Sequence, residues 1–356
     1  MRQHTADSTA PEPMNFGSDN AYGALPEVLA AVMENQTGTQ PPYGNDAVTK
    51  RLTDVFRKLF EREVAVFPVL TGTAANALAL ASIVLPHGAV LCHEEAHILT
   101  SECGAPEFFA GGARLVGMAG DDGKLTPQGL AATLSNMDRG NVHAVQPHAV
   151  SISQASELGT AYSLAELKAI GDWSHGEGLK LHMDGARFAN AMAHLKCSPA
   201  DATWKCGVDV LCFGASKAGA MAAEAVVFFN PADARDFEYR RKRTGHLVSK
   251  MRLVSAQLEA IVKDNLWLTA ATHANGLATR IAAGIARTPG IRIAAPVETN
   301  MVFAEMPVET AARAKSGGAI FYEWGAPQNG RVLTRLATSF ATPDAHVARL
   351  IALLND

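Results

Sequence analysis

Two ionisable residues stand at the ends of short apolar runs in this chain, and their pairing is chemically specific. Asp184 closes Leu181-His182-Met183-Asp184, and Lys217 follows Val210-Leu211-Cys212-Phe213-Gly214-Ala215-Ser216, 33 residues later. A lysine at one buried strand end can hold an aldehyde as a Schiff base, and an acid at another can keep a pyridine nitrogen protonated. Together they suit pyridoxal 5'-phosphate, an aromatic aldehyde that can be gripped at both poles.

Four further segments carry candidate chemistry. Thr71-Gly72-Thr73-Ala74-Ala75-Asn76 joins a strand-like run to a helical one. Amides at such a helix start, with the Thr73 hydroxyl, can seat a phosphate dianion, and the plain alternative is an ordinary helix cap. Arg187, three residues after Asp184, can reach the cofactor's phenolic oxygen or serve as a surface ion-pair residue. Arg335 interrupts the apolar Val332-Leu333-Thr334-Arg335-Leu336-Ala337. A semi-buried guanidinium needs an anion, either a substrate carboxylate or an internal Asp or Glu.

His93-Glu94-Glu95-Ala96-His97 matches the H-E-x-x-H pattern of zinc peptidases. Its first histidine directly follows the strand-like Gly88–Cys92 rather than lying inside a helix, and no metzincin or inverted extension follows. The other use of this segment is His97 stacked over a cofactor ring, with no metal in the site. Ser216-Lys217 approaches a nucleophile elbow, but Ala218 stands where that motif requires glycine.

These residues need a scaffold, and the chain alternates helical and strand-like segments from about residue 50 to 255. Thr49–Phe60 has helical periodicity, and Ala74–Leu85 is a helix stopped by Pro86. Val64–Leu70, Ala89–Cys92, Val142–Ile152, Leu179–Met183, Val208–Phe213 and Ala225–Phe229 read as strands of a mainly parallel sheet covered on both faces. Ser163-Leu164-Ala165-Glu166 is a capping box that opens the helix before Asp184's strand. In such α/β sheets ligands bind beyond the carboxyl ends of the strands, where Thr71–Thr73, His93–His97, Asp184 and Lys217 fall.

The last hundred residues read differently. One long helix spans about 255–286, strands follow at 291–293, 301–305, 320–323 and 332–337, and Thr342-Pro343 caps a final helix to Leu354. The expected organisation is a loose tail over residues 1–13, a cofactor-binding domain over 14–255 and a smaller α+β domain over 256–356.

Composition narrows the class. Of 356 residues, 48% are apolar and 19% charged, as in a soluble globular enzyme, and the net charge of −4 speaks against nucleic-acid partners. The basic cluster Arg240–Arg243 reads as a solvated helix face or a subunit contact. No run approaches a membrane span. Cys92, Cys103, Cys197, Cys206 and Cys212 form no Cys-x-x-Cys pair and read as reduced, mostly buried thiols, and cytoplasm is the expected location.

With these elements assembled, the chain from about Phe16 onward resembles the threonine aldolase group of fold-type-I pyridoxal phosphate enzymes, in the branch that includes phenylserine aldolases. The matches are Ser18-Asp19, Tyr43-Gly44-Asn45-Asp46, Thr71 to Asn76, Ala96-His97, Asp184 to Ala191, Ser216-Lys217 and Arg335 to Thr338. The resemblance implies an aspartate aminotransferase-like α/β fold and cleavage of a β-hydroxy-α-amino acid, of phenylserine or threonine type, to glycine and an aldehyde. It implies that Lys217 carries the cofactor, Asp184 meets the pyridine nitrogen, Arg187 touches the phenolic oxygen and His97 stacks on the ring. Gly72, Thr73 and Ala74 would seat the phosphate, Ser18 and Arg335 would hold the substrate carboxylate, and His97 or a water on it would act as base. It also implies a homodimer or homotetramer with interface sites, Tyr43 then reaching the neighbouring chain.

The chain departs from the family where Glu-Asn-Thr-His is usual. It has Ser151-Ile152-Ser153-Gln154-Ala155-Ser156, without the histidine, which leaves the handling of the β-hydroxyl open. After Thr244-Gly245 it has His246 to Arg252 in place of a glycine-rich run, with Lys250 a candidate phosphate contact. The alternatives are a β-eliminating lyase or aminotransferase on the same cofactor and, from another class, a zinc metallopeptidase built on His93 and His97.

Overall fold

The computed structural model describes residues 12–356, so most of the expected N-terminal tail lies outside the described residues. A short strand β1 (Met14–Asn15) is followed by seven strands that form one sheet. They are β2 (Ala65–Val69), β3 (Gly88–His93), β4 (Arg114–Met118), β5 (Gln146–Ser153), β6 (Lys180–Gly185), β7 (Val210–Gly214) and β8 (Glu224–Phe228). Their order is β2-β8-β7-β6-β5-β3-β4, and only β8 runs against its neighbours. The mainly parallel sheet expected from the short apolar runs is therefore present.

Burial on both faces explains why β7 is apolar throughout. Leu211 and Phe213 face one core with Phe56, Phe60, Phe188 and Trp267, while Val210 and Cys212 face another with Leu78, Val226 and Phe228. The Phe188 and Trp267 rings lie nearly parallel, 5.9 Å apart, and fix the helix Phe188–Leu195 that begins just after Arg187. Truncating a ring in such a core costs about 3–5 kcal/mol, so this packing holds the neighbouring strand ends rigidly. The capping box forms as read, Ser163 Oγ accepting from the Glu166 amide and Glu166 Oε2 from the Ser163 amide.

Several expectations need correction. Edge strand β4 carried no clear alternation and was not anticipated, and Val142 belongs to an exposed turn ahead of β5. The long helix is two, Met251–Val262 and Leu266–Ile285, broken where Asp264 and Asn265 adopt left-handed backbone. Asp and Asn tolerate that conformation better than other non-glycine residues, whereas apolar periodicity runs across the break. Arg241 turns inward from its basic helix to the Pro68 carbonyl and Glu238 instead of facing solvent. Of the five free cysteines, Cys103 is exposed and Cys197 intermediate.

The C-terminal strands are β9 (Arg292–Ile293), β10 (Met301–Pro307), β11 (Ala319–Ile320), β12 (Tyr322–Glu323) and β13 (Arg331–Ala337). A four-stranded antiparallel sheet has the order β12-β13-β10-β9. The expected strand 320–323 divides at Phe321, because β11 pairs with β1 instead. That pairing, with the Ala337 amide donating to the Phe16 carbonyl, carries residues 16–19 across to the carboxyl ends of the main sheet. The last helix runs Asp344–Asn355 behind Pro343, and Thr342 Oγ1 accepts from the Ser339 amide rather than capping it. Among the described residues no helix is long and apolar enough to cross a membrane.

Candidate active site

Asp184 sits at the carboxyl end of β6, almost fully buried, and each of its oxygens has a donor. Oδ1 accepts from the Ala186 amide at 2.9 Å and Oδ2 from Asn76 Nδ2 at 2.8 Å. Asn76 lies in the helix Gly72–Ile83, where it is the polar residue in a buried Ala/Leu stretch, and it also donates to Glu102 Oε1 at 2.8 Å. A carboxylate held in this way stays oriented along one direction. Beneath it, His182 lies between Ser151 Oγ and Cys212 Sγ, and burial pulls its pKa down to about 4, so it adds no charge there.

Lys217 projects from the tight turn Ser216–Ala218 between β7 and β8. Two glycines make that turn possible. A Cβ on Gly214 would meet the Ala186 carbonyl at 2.6 Å, and Gly219, at φ +120°, packs against Leu25. Burial lowers the Lys217 pKa, as does the nearby Arg187, which leaves its amine more readily deprotonated and nucleophilic. Glu224 stands beneath the turn and accepts from the Ala215 amide at 2.9 Å. Lys217 and Asp184 line the same cleft.

The Thr71–Ala74 segment forms the helix cap that was one of its two readings. Thr71 is the N-cap, its Oγ1 accepting from the Ala74 amide at 3.2 Å, so that amide is taken. Gly72 and Thr73 line the cleft at the helix start, and a Cβ on Gly72 would meet nothing within 4 Å. An open, positive helix end of this kind can accept a phosphate.

Arg187 is neither exposed nor free. It grips Asp19 through Nε at 2.8 Å and Nη2 at 2.9 Å, and Asp19 also accepts from Asn300 Nδ2. Burial opposes the Asp19 charge, but Arg187 and Lys217 outweigh it and hold the carboxyl at about 2. The ordinary surface ion pair weighed for Arg187 is thus a buried, bidentate one.

Arg335 donates to the Gly17 carbonyl at 3.0 Å and lies over the rings of Tyr322 and Trp324. Its Nε is buried without a partner, and no carboxylate pairs with it among the described residues. The internal Asp or Glu is not there. A substrate carboxylate remains a suitable partner. Ser18 lines this outer cleft with Arg335, its Oγ accepting from the Asn20 amide at 3.1 Å.

His97 opens the one-turn helix His97–Thr100, half-exposed, with Nδ1 2.9 Å from Glu102 Oε1. The Glu102 hydrogen bond raises the His97 pKa despite partial burial. Its amide donates to Glu157 Oε1 at 2.8 Å. His93 turns elsewhere: its Nε2 lies 3.0 Å from the Gly120 carbonyl and its Nδ1 accepts from the Glu95 amide. The two imidazoles of the H-E-x-x-H stretch therefore have separate partners and do not converge.

The inner cleft of Asp184 and the outer cleft of Arg335 share His97, Glu157, Arg187 and Lys217. Tyr43 and Lys250 line neither. A larger groove between the helices Pro26–Asn35 and Met251–Val262 contains none of the residues singled out from the sequence. Sequence reasoning gave no role to Asn76, Glu102 or Glu157. Asn76 carried the one usable signal, a polar residue inside an otherwise apolar helix.

Comparison with known proteins gives consistent results. The beta-eliminating lyase family matches residues 15–309. The chain is 43% identical to the low specificity L-threonine aldolase of Pseudomonas sp. (strain NCIMB 10558), over 96% of this chain and 97% of that one. It is 45% identical to the low specificity L-threonine aldolase of Pseudomonas aeruginosa, over 86% and 88% respectively. The solved structure of Leishmania major threonine aldolase is similar with a TM-score of 0.91 at 30% identity, covering 96% of this chain and 98% of that chain.

Proposed function

The chain belongs to the beta-eliminating lyase family and, within it, to the threonine aldolases, and we propose that it cleaves a β-hydroxy-α-amino acid to glycine and an aldehyde. The observation that carries this reading is a pair of adjoining clefts that share four side chains, with Asp184 and Lys217 lining the inner one, the base, and the unpartnered Nε of Arg335 in the outer one, the mouth. The cofactor is pyridoxal 5'-phosphate, which when bound supplies an electron sink for the pair left on Cα as a bond to that carbon breaks.

The chain's own residues divide the work. Lys217 holds the cofactor aldehyde, and its lowered pKa favours the free amine that exchange with a substrate amine requires. Asp184, with both oxygens already oriented, keeps a proton on the ring nitrogen. The helix start at Gly72 and Thr73 receives the phosphate beside Ala74, whose amide Thr71 already holds. His97 lies over the ring, and Arg187 serves the phenolic oxygen through the Nη1 that Asp19 leaves unbound. Ser18 and Arg335 hold the substrate carboxylate, and fixing that group selects which bond at Cα is broken.

The narrower substrate is phenylserine, releasing benzaldehyde. Tyr322 and Trp324, which give the mouth an aromatic rim, support it. Tyr43 is half-exposed and away from its own cleft, which suits a homodimer or homotetramer in which it serves a neighbouring site. A cytoplasmic location fits five cysteines with no disulfide. Incubating the holoprotein with threonine and with phenylserine should yield glycine and the matching aldehyde. Pyruvate from β-chloroalanine without glycine from either substrate would instead point to β-elimination.

A further inference from the structure

We propose that Glu157 is the catalytic base that takes the proton from the substrate's β-hydroxyl, a role that rests on the aldolase reading above. Four side chains border both the inner and the outer cleft: His97, Glu157, Arg187 and Lys217. A base for the β-hydroxyl must stand at that junction, between the atoms that hold the cofactor and those that hold the carboxylate. Lys217 is committed to the cofactor. Arg187 is a permanent cation bound to Asp19. His97 is engaged through Nδ1 with Glu102 and is assigned above to the cofactor ring.

Glu157 is left, and its geometry suits the task. Oε1 is anchored by Ser153 Oγ at 2.9 Å and by the His97 amide at 2.8 Å. Oε2 has no hydrogen-bond partner among the described residues. One oxygen therefore fixes the carboxylate while the other is available to a ligand. Burial and the Asp184 charge push its pKa above the usual carboxylate range, while the two hydrogen bonds and Arg187 pull the other way. The result is a carboxylate more basic than usual, which favours proton abstraction. The charged and titratable groups around it are Asp184, Glu102, Glu95, Arg187, His97, Lys217, Arg335 and Tyr322 in the clefts and Tyr162 behind them.

The step balances without an oxidant or a second reactant. Glu157 takes the hydroxyl proton, the O–H pair becomes the second bond of the aldehyde C=O, and the Cα–Cβ pair remains on Cα. A proton from solvent then reaches Cα, giving glycine, and Glu157 releases the proton it took to solvent and ends ionised.

The test uses the holoenzyme and two reactions that share everything except the β-hydroxyl. Glycine α-proton exchange in D2O, followed by NMR, needs the cofactor, Lys217 and Asp184 but no base at Cβ. Glu157→Gln should lower cleavage of threonine and phenylserine roughly 10²–10³-fold, while exchange stays within about threefold and the bound-cofactor absorption is retained. Glu157→Asp should recover part of the cleavage rate. Cleavage at the wild-type rate in Glu157→Gln, or cleavage and exchange falling together, would overturn the proposal and leave the aldolase reading intact. Wild-type protein that exchanges glycine but cleaves neither substrate would overturn the aldolase reading and this proposal with it.

Discussion

The base and the mouth of the site are built on different principles. At the base, Asp184 closes one of two adjacent, largely buried strands and Lys217 follows the other. Ala186, two residues on, and Asn76, from the helix Gly72–Ile83, hold Asp184, while Glu224, one strand over, holds the Lys217 turn. At the mouth, Ser18 and Arg335 are brought together by a strand pairing and a hydrogen bond spanning 318 residues of sequence. The acid at the base has both oxygens engaged, whereas the arginine at the mouth keeps a buried nitrogen unpartnered. A preformed base suits a resident cofactor, and an incomplete mouth suits a substrate that comes and goes.

Asp184→Ala tests the base and carries the largest expected effect. Turnover should fall on the order of 10³-fold, because positioning and charge at the ring nitrogen vanish together while the apolar strand core keeps the fold. Near-wild-type rates with a normal melting curve would remove the distinction at its stronger end. Arg335→Ala tests the mouth. Here kcat/KM should drop about 30- to 100-fold, on the order of 2–3 kcal/mol, mostly through KM, with cofactor absorption unchanged. Loss of cofactor on that substitution would mean that the two regions are not separable.

The smallest effects are expected in the pH dependence of stability, where the two regions should titrate in opposite senses. Asp19, at the mouth, is held at about 2 against an ordinary 3.8. Its contribution is present above pH 3.8 and is lost as pH falls through 2. Glu224, under the Lys217 turn, is pushed by burial up to about 7 from 4.5, chiefly against the Ser216 and Ala215 hydrogen bonds. Its contribution is complete below pH 4.5 and is lost as pH rises through 7. Unfolding free energies across pH should therefore flatten on the acid side in Asp19→Asn and between about 4.5 and 7 in Glu224→Gln, by on the order of 2 kcal/mol each. Unchanged slopes in both variants would count against the opposed environments.

The same contrast governs what could be read from the chain. The base was legible, since Asp184 and Lys217 follow continuous apolar runs whose burial on both faces leaves little choice but central strands. The capping box at Ser163 fixed the helix that leads into the Asp184 strand. The mouth was legible only as single residues. Nothing local marks Asp19 as the partner of Arg187, 168 residues away, or gives Arg335 its place beside Gly17. Glu157 escaped for a related reason: its anchors are Ser153, four residues back, and a main-chain amide 60 residues away. Edge strand β4 and the Asp264–Asn265 break were hidden because one is half-exposed and the other interrupts the backbone without interrupting the apolar pattern.

The central claim is that Lys217 is the residue that holds the cofactor aldehyde, opposite Asp184 in one cleft. Borohydride reduction of the holoprotein, followed by peptide mapping with mass spectrometry, tests it most directly. A reduced pyridoxyl phosphate adduct on Lys217, absent in Lys217→Ala together with the visible absorption band, is the expected result. An adduct on another lysine such as Lys250, or a band that survives in Lys217→Ala, would contradict it.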